Sequence, residues 1–284
     1  MNELLDRLFQ ACAADLCRLA FMQRALLAAA LVGVAAPAIG IFLVQRRLSL
    51  MGDGIGHVAF AGVAAGFLLR TSPVITAIAA AVLGAVALEL LRERDRMAGD
   101  VALALIFYGG IAVGVLLINL ADASTANLLG YLFGSIVSVN EHDILITAAV
   151  ATCVLAVTFG LRKELFVVCY DEEVARVAGL KARTLNLLMA ITAAVTIAVT
   201  MRVVGILLVS AMLVLPVATV QQVTRSFRST VLASLAMGTL VSVGGLVIAF
   251  YANVYPAATI VLTALGAFIL TMLVARLRRA FQRP

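Results

Sequence analysis

Leu48-Ser49-Leu50-Met51-Gly52-Asp53-Gly54-Ile55-Gly56-His57-Val58-Ala59-Phe60-Ala61-Gly62 decides how this chain is read. It sets an acid, an imidazole and four glycines inside an apolar run long enough to cross a bilayer. A charge at membrane depth costs about 2.5–3.5 kcal/mol even on the mildest scale, so acids are rare in such runs. His57 is one of two histidines in the chain and the one that falls within an apolar run. Asp53 and His57 are four residues apart, which on a helix puts them on one face with Cβ atoms roughly 5–6 Å apart. A carboxylate and an imidazole at that spacing can share one divalent cation.

The rest of the sequence has the composition that such a run requires. Of 284 residues 64% are hydrophobic and 13% charged, against about 45–50% apolar and 25% charged in a soluble domain. The chain reads as all-α, a polytopic transmembrane bundle. Nine apolar runs follow one another, at 22–44, 49–69, 74–91, 101–120, 143–161, 185–201, 205–222, 231–251 and 256–275. Most have the roughly 17–25 residues of a spanning helix. The two at 185–201 and 205–222 are parted by Arg202, Val203 and Val204 alone, so eight spans and nine are both open. Residues 1–20 carry Leu4, Leu5, Leu8, Phe9, Cys12, Leu16 and Leu19 at helical spacing, which predicts an amphipathic segment on the membrane surface. Acids at Glu3, Asp6 and Asp15 argue against a cleaved signal peptide there. Residues 21–284 then form one transmembrane domain.

Orientation comes from the basic residues. With the C-terminus in the cytoplasm, Arg7, Arg18, Arg24, Arg70 and Arg202 fall outside, and the other 16 of the 21 Lys and Arg fall inside. The net charge of +6 is therefore topology, and no nucleic-acid partner is expected. The four cysteines are scattered without a C-x-x-C pair, which excludes a zinc site of that kind. No G-x-x-x-x-G-K-[ST] occurs, so the chain holds no P-loop for ATP. It is not expected to be an enzyme.

Two connections are long. The external one, 121–142, contains Asn127 to Ile136, too short to span, and reads as a half-helix or re-entrant piece. Whether 126–137 gates anything is open. Near it, Glu141, His142 and Asp143 read as exposed outer residues, with a vestibule metal site as the alternative. The internal connection, 162–184, holds Asp171-Glu172-Glu173-Val174-Ala175-Arg176-Val177-Ala178-Gly179. Asp171 suits an N-cap, Glu172 and Glu173 the first helical turn, and Gly179 a stop. A short helix standing between two spans is a handle for a partner protein.

Asp53 and His57 themselves admit three readings. Asp53 can pair with Arg46 or Arg47 while His57 packs, both can ligate a divalent metal, or they can relay protons. Carboxylate with imidazole fits Zn(II), Mn(II) or Fe(II). Two ligands are too few for a closed site, and a two-fold dimer would supply two of each. Gly52 and Gly56 form a G-x-x-x-G pair, and with Gly62 they suit close helix packing. Glu89 is expected to pair with Arg92.

Together these motifs resemble the permease subunits of bacterial ABC-type divalent-metal (zinc, manganese or iron) importers, the ABC-3 family. The resemblance rests on Phe21 to Leu26, Arg47 to Asp53 with His57 and Gly62, Gly130 to Ser135, Asp171 to Gly179, and Arg202 to Ala211 with Pro216. It implies a bundle like that of type II ABC importers in the bacterial inner (plasma) membrane. It also implies a homodimer, cytoplasmic ABC ATPase subunits and an extracytoplasmic metal-binding protein. By that resemblance Asp53 and His57 are the metal pair, and the metal is cargo, with no cofactor permanently bound. Asp171, Glu172, Glu173, Arg176, Ala178 and Gly179 then belong to the ATPase-coupling helix. Gly56 and Ala61 depart from the Ser and Pro often found there. The alternative is an antiporter or channel working without ATP.

Overall fold

The computed structural model describes residues 19–93, 99–121, 130–134 and 139–281. The amphipathic segment expected at 1–20 lies almost wholly outside the described residues, as does most of 126–137. Among the described residues every regular element is helical: α1 (Ala20–Gln45), α2 (Met51–Leu68), α3 (Pro73–Glu93), α4 (Gly99–Leu120), α5 (Glu141–Gly160), α6 (Arg162–Tyr170), α7 (Glu172–Val177), α8 (Ala182–Val204), α9 (Ile206–Gln221), α10 (Phe227–Ala252) and α11 (Pro256–Phe281).

Four of these helices stop in the same way. At the end of α1, Leu48 N–H donates to Leu43 O and Arg47 N–H to Val44 O, with Arg47 at φ 59°. This is the Schellman pattern, whose penultimate residue takes the left-handed conformation. Arg70, Gly179 and Asn253 fill that position after α2, α7 and α10. The turn at Arg47 is so tight that α2 begins within a few residues of α1.

Eight of the helices are long and apolar enough to cross a membrane. The run expected at 205–222 forms α9, which at 16 residues spans about 24 Å, short of the roughly 30 Å hydrocarbon core. The boundary between the last two doubtful runs also moves. Val203 and Val204 continue α8, and the break falls on Gly205 at φ 89°. A Cβ on Gly205 would stand 2.5 Å from Phe133 C, so only glycine lets the joint close against the 132–134 backbone.

Charged residues collect at the two ends of the bundle. At one end Arg46 meets Glu89 and Glu172, and Arg92 meets Glu89 as expected. At the other, Arg24 pairs with Glu141 (3.0 Å) and Arg202 with Asp143 (2.8 Å). The expected exposed loop at Glu141–Asp143 is instead the first turn of α5, with Asp143 6% exposed. The chain passes between these ends with each long helix, and α9 runs with them. It starts beside Leu132–Gly134 and ends near Thr224, whose hydroxyl bonds Thr230 of α10.

Helices α1, α2 and α8 form the interior, each with two thirds or more of its spanning window buried. Close approaches seat them. A Cβ on Gly33 would lie 2.7 Å from Gly238 O of α10, and one on Gly40 would overlap Leu213 O of α9. Helices α4 and α11 lie at the edge with 17% buried.

Candidate functional site

The stretch at 51–62 folds as the first three turns of α2. Asp53 stands in the first turn, where the helix dipole favours a carboxylate. His57 follows one turn on, on the same face. Both are half-buried in the single chain. The imidazole meets the Phe107 ring of α4 edge-on, with centroids 4.8 Å apart at 82°. Gly110 of α4 allows that contact, because a Cβ there would be 2.8 Å from Val58 N and 3.0 Å from His57 C.

The glycines of this stretch face other neighbours. A Cβ on Gly52 would lie 2.6 Å from Ser210 Oγ and 3.1 Å from a Leu213 methyl, both of α9. One on Gly56 would meet Ile206 and Ile197. Asp53 and His57 each come one residue after these glycines, so they point about 100° around the helix from that seam. Gly62 faces α3, where a Cβ would be 2.6 Å from Thr76 O. Three sides of α2 are thus held by α9, α3 and α4, and the acid–imidazole pair stands beside the last of these.

Arg46 does not pair with Asp53. Its guanidinium reaches Glu172 Oε2 at 3.3 Å and Glu89 at 3.9 Å and is only 10% exposed. Among the described residues Asp53 forms no ion pair, and no third His, Cys, Asp or Glu joins it and His57. Within one chain the donor set is one carboxylate and one imidazole. Ser210 Oγ, against Gly52, is buried without a hydrogen-bond partner. It is an unsatisfied oxygen lying against the residue that precedes Asp53.

The internal connection builds a second feature. Asp171 Oδ1 accepts from the N–H groups of Glu173 (2.9 Å) and Val174 (3.0 Å), and Gly179 at φ 80° ends the turn after α7. Capping acid and stopping glycine hold the positions their residue types predict. Ala175 is buried against Val168 and Ala182, which ties α7 to α6 and α8. The two glutamates diverge. Glu173 is exposed, whereas Glu172 turns inward to Arg46, Arg176 and Asn186. Burial works to raise the Glu172 pKa, but the hydrogen bonds from Arg176 and Asn186 and the charge of Arg46 outweigh it and hold the carboxyl below its ordinary value. Arg176, Ala178 and Gly179 are exposed, and Tyr170 and Val177 present apolar side chains that are 84% and 90% exposed.

Arg46 therefore joins the two features. It ends α1, it precedes α2 by a five-residue turn, and it is held by the first residue of α7. Separations of 126 residues, as between Arg46 and Glu172, leave no mark on local sequence pattern.

With this geometry in view, known proteins give a consistent comparison. A family model described as the ABC 3 transport family matches residues 18–275. A manganese import system permease protein, ScaB of Streptococcus gordonii, is 34% identical over 263 residues, covering 93% of this chain and 94% of that protein. A probable iron transport system membrane protein of Haemophilus influenzae is 29% identical, covering 91% and 95%. Among solved structures, PsaBC from Streptococcus pneumoniae in complex with Fab matches with a TM-score of 0.81 at 31% identity, over 95% of each chain.

Proposed function

From a chain that belongs to the ABC 3 transport family, we propose the membrane-spanning subunit of an ATP-driven importer for a divalent transition metal. It is a multi-pass permease and not itself a catalyst. ATP is hydrolysed by separate ABC subunits on the cytoplasmic side, and the metal arrives on an extracytoplasmic binding protein. The observation that carries the reading is the acid–imidazole pair Asp53 and His57 on one face of α2, inside a chain matched along almost its whole length by metal-transport relatives.

The chemistry follows from the donor set. Carboxylate and imidazole together suit Mn(II), Fe(II) and Zn(II), and two relatives bear the names manganese import system permease protein and probable iron transport system membrane protein. The half-exposure of both side chains, with no third ligand among the described residues, supports completion by a second copy across a two-fold axis. Two carboxylates and two imidazoles then hold the ion, and water fills any position left open. Binding there is modest, since an ion held tightly at mid-passage would not leave.

Coupling runs through α7. Its exposed apolar residues Val174 and Val177 and exposed polar residues Glu173 and Arg176 offer a docking face for the ATPase. Displacement of α7 pulls on Glu172, hence on Arg46 and on the turn that starts α2. Alternating access is the outcome, with the Arg46 end facing the cytoplasm, the C-terminus on the same side, and the whole in a bacterial inner membrane.

The test is metal-by-metal uptake into proteoliposomes holding the full complex. Expected is ATP-dependent uptake of one of the three metals, lost in Asp53→Asn/His57→Ala at normal membrane level. Retained uptake in that variant would remove the pair from the pathway. Uptake without ATP would favour an antiporter or channel, as would full uptake after Gly179→Asp or Glu173→Lys.

A further inference from the structure

A cavity of about 310 Å³ opens between α1, α5, α6 and α10 at the Arg46 end of the bundle. That volume lies in the range of small-molecule sites, about 300–1,000 Å³. Its floor is aromatic. Phe227 packs against Phe42 at 5.8 Å and Phe166 at 4.7 Å between centroids. Its rim is cationic, made by Arg162, Lys163 and Arg228. All three are exposed, and none has an ion-pair partner among the described residues. No acid lines the cavity. Arg162 and Lys163 stand in the first turn of α6 and Arg228 in that of α10, where the helix dipole disfavours cations. Glu164 shares that first turn of α6 but does not line the cavity, and no ion pair among the described residues relieves the three cations of its rim.

The flanks say what can reach it. Phe159 of α5 and Leu232 of α10 line the cavity and are 39% and 54% exposed. Both belong to helices that cross the membrane, so in a bilayer these apolar surfaces meet lipid tails. An occupant must be apolar where it lies along Phe159 and Leu232 and anionic where it meets the rim. Basic pockets between spans on one membrane face select such headgroups. We infer that this cavity is a binding site for one anionic glycerophospholipid, its phosphate on Arg162, Lys163 and Arg228 and an acyl chain against Phe42, Phe166 and Phe227. The lipid then rests on the last turns of α1, just before Arg46. This inference requires only that the chain spans a membrane, and it stands or falls separately from the metal reading.

The test uses no transport. The full-length chain, purified in neutral detergent with whatever subunits travel with it, is titrated with dioleoyl phosphatidylglycerol or dioleoyl phosphatidylcholine and read by native mass spectrometry. Phosphatidylglycerol should bind roughly fivefold or more tightly than phosphatidylcholine, given the attraction each Lys or Arg contributes near anionic lipid. Arg162→Gln/Lys163→Gln/Arg228→Gln should abolish the preference, Arg162→Lys/Arg228→Lys should keep it, and Arg70→Gln/Arg276→Gln should leave it unchanged. Val231→Phe, which fills the cavity, should weaken both lipids. Equal binding of the two lipids by the unaltered chain overturns the proposal, as does a preference that survives the triple variant. Loss of a co-purifying subunit from the triple variant, with no phosphatidylglycerol preference in the unaltered chain, would give the rim to a protein partner and also overturn it.

Discussion

Helices α2 and α4 lie side by side and obey opposite rules. Helix α4 has a mean hydropathy of 2.6 and 17% of its window buried, whereas α2 has 1.3 and 67%. In water the more apolar helix would sit inside. In a bilayer the solvent is itself apolar, so hydropathy no longer drives a helix inward, and contact between helices rests on close packing and polar groups. Helix α4 turns Leu105, Tyr108, Val115 and Leu116 outward and makes no ion pair among the described residues. Helix α2 is entered through a turn pinned by Arg46 and is clasped through its glycines. The polar pair belongs to the helix that protein surrounds, and its neighbour supplies one ring, Phe107, and a wall. A polar pair within an apolar bundle is held where small residues let backbones close in, more than where apolar residues are plentiful.

The largest expected break in this contrast is chemical. Asp53→Asn/His57→Ala should lower ATP-driven metal uptake by more than about 100-fold, beyond the 10–100-fold that loss of a supporting partner costs, while Tyr108→Phe on the outer face of α4 leaves it unchanged. Uptake by vesicles at matched membrane levels decides between them. Next comes anchoring. Arg46→Ala removes the cation that Glu89 and Glu172 share beside the α1–α2 turn and should cost about 3 kcal/mol, the low end for breaking a buried pair, since Glu89 keeps Arg92 and Glu172 keeps Arg176 and Asn186. Arg46→Ala/Glu172→Gln should recover part of that loss in a thermal unfolding series.

Packing gives the third and smaller effect. Gly62→Ala drives a methyl to within 2.6 Å of Thr76 O and should destabilise by about 1–3 kcal/mol. Gly109→Ala on α4 meets nothing within 4 Å and should be neutral or slightly stabilising, as Ala is the better helix former by about 1 kcal/mol. Equal shifts in the two unfolding midpoints would erase the distinction drawn between the helices. The smallest effect is in pH. The folded-state pKa of Glu172 lies below its ordinary value of 4.5, so its contribution is complete above that value. It is lost as pH falls from there through the folded-state pKa. The unfolding midpoint should be insensitive to this group from pH 7 to 5, and Glu172→Gln should reduce the fall below 4.5.

Much of this was legible in the sequence, for reasons that are local. Apolar length located the spans because a bilayer imposes one thickness on all of them. Asp171 and Gly179 announced α7 because capping and stopping depend on residues two to five apart. Asp53 and His57 stood out because polarity is rare at depth. The sequence did not reveal contacts between distant segments. Local pattern allowed Arg46 to pair with the nearby Asp53, and the fold gives it instead to Glu89 and Glu172. Phe107 on His57 could not be foreseen, nor could Arg202 on Asp143, since each joins separate helices. The reach of α8 through Val204 was hidden too, because an apolar run does not disclose that Gly205 will take a positive φ and stop the helix there.

That glycine has a further consequence. Where Gly205 meets Phe133 and Gly134, main chain lies on main chain with no room for a side chain between. Such a contact has nothing to protonate, oxidise or ligate. Acid, redox poison or excess metal cannot loosen it by acting on it directly, and the nearby charges, Arg202 on Asp143, stand beside the joint and not in it. It parts only when one of the two segments is carried away bodily. At that end of the molecule the chain thus holds a joint that answers to displacement alone, whereas the ion pairs at either end, Arg24 with Glu141 and Arg46 with Glu172, answer also to what is dissolved in the water around them.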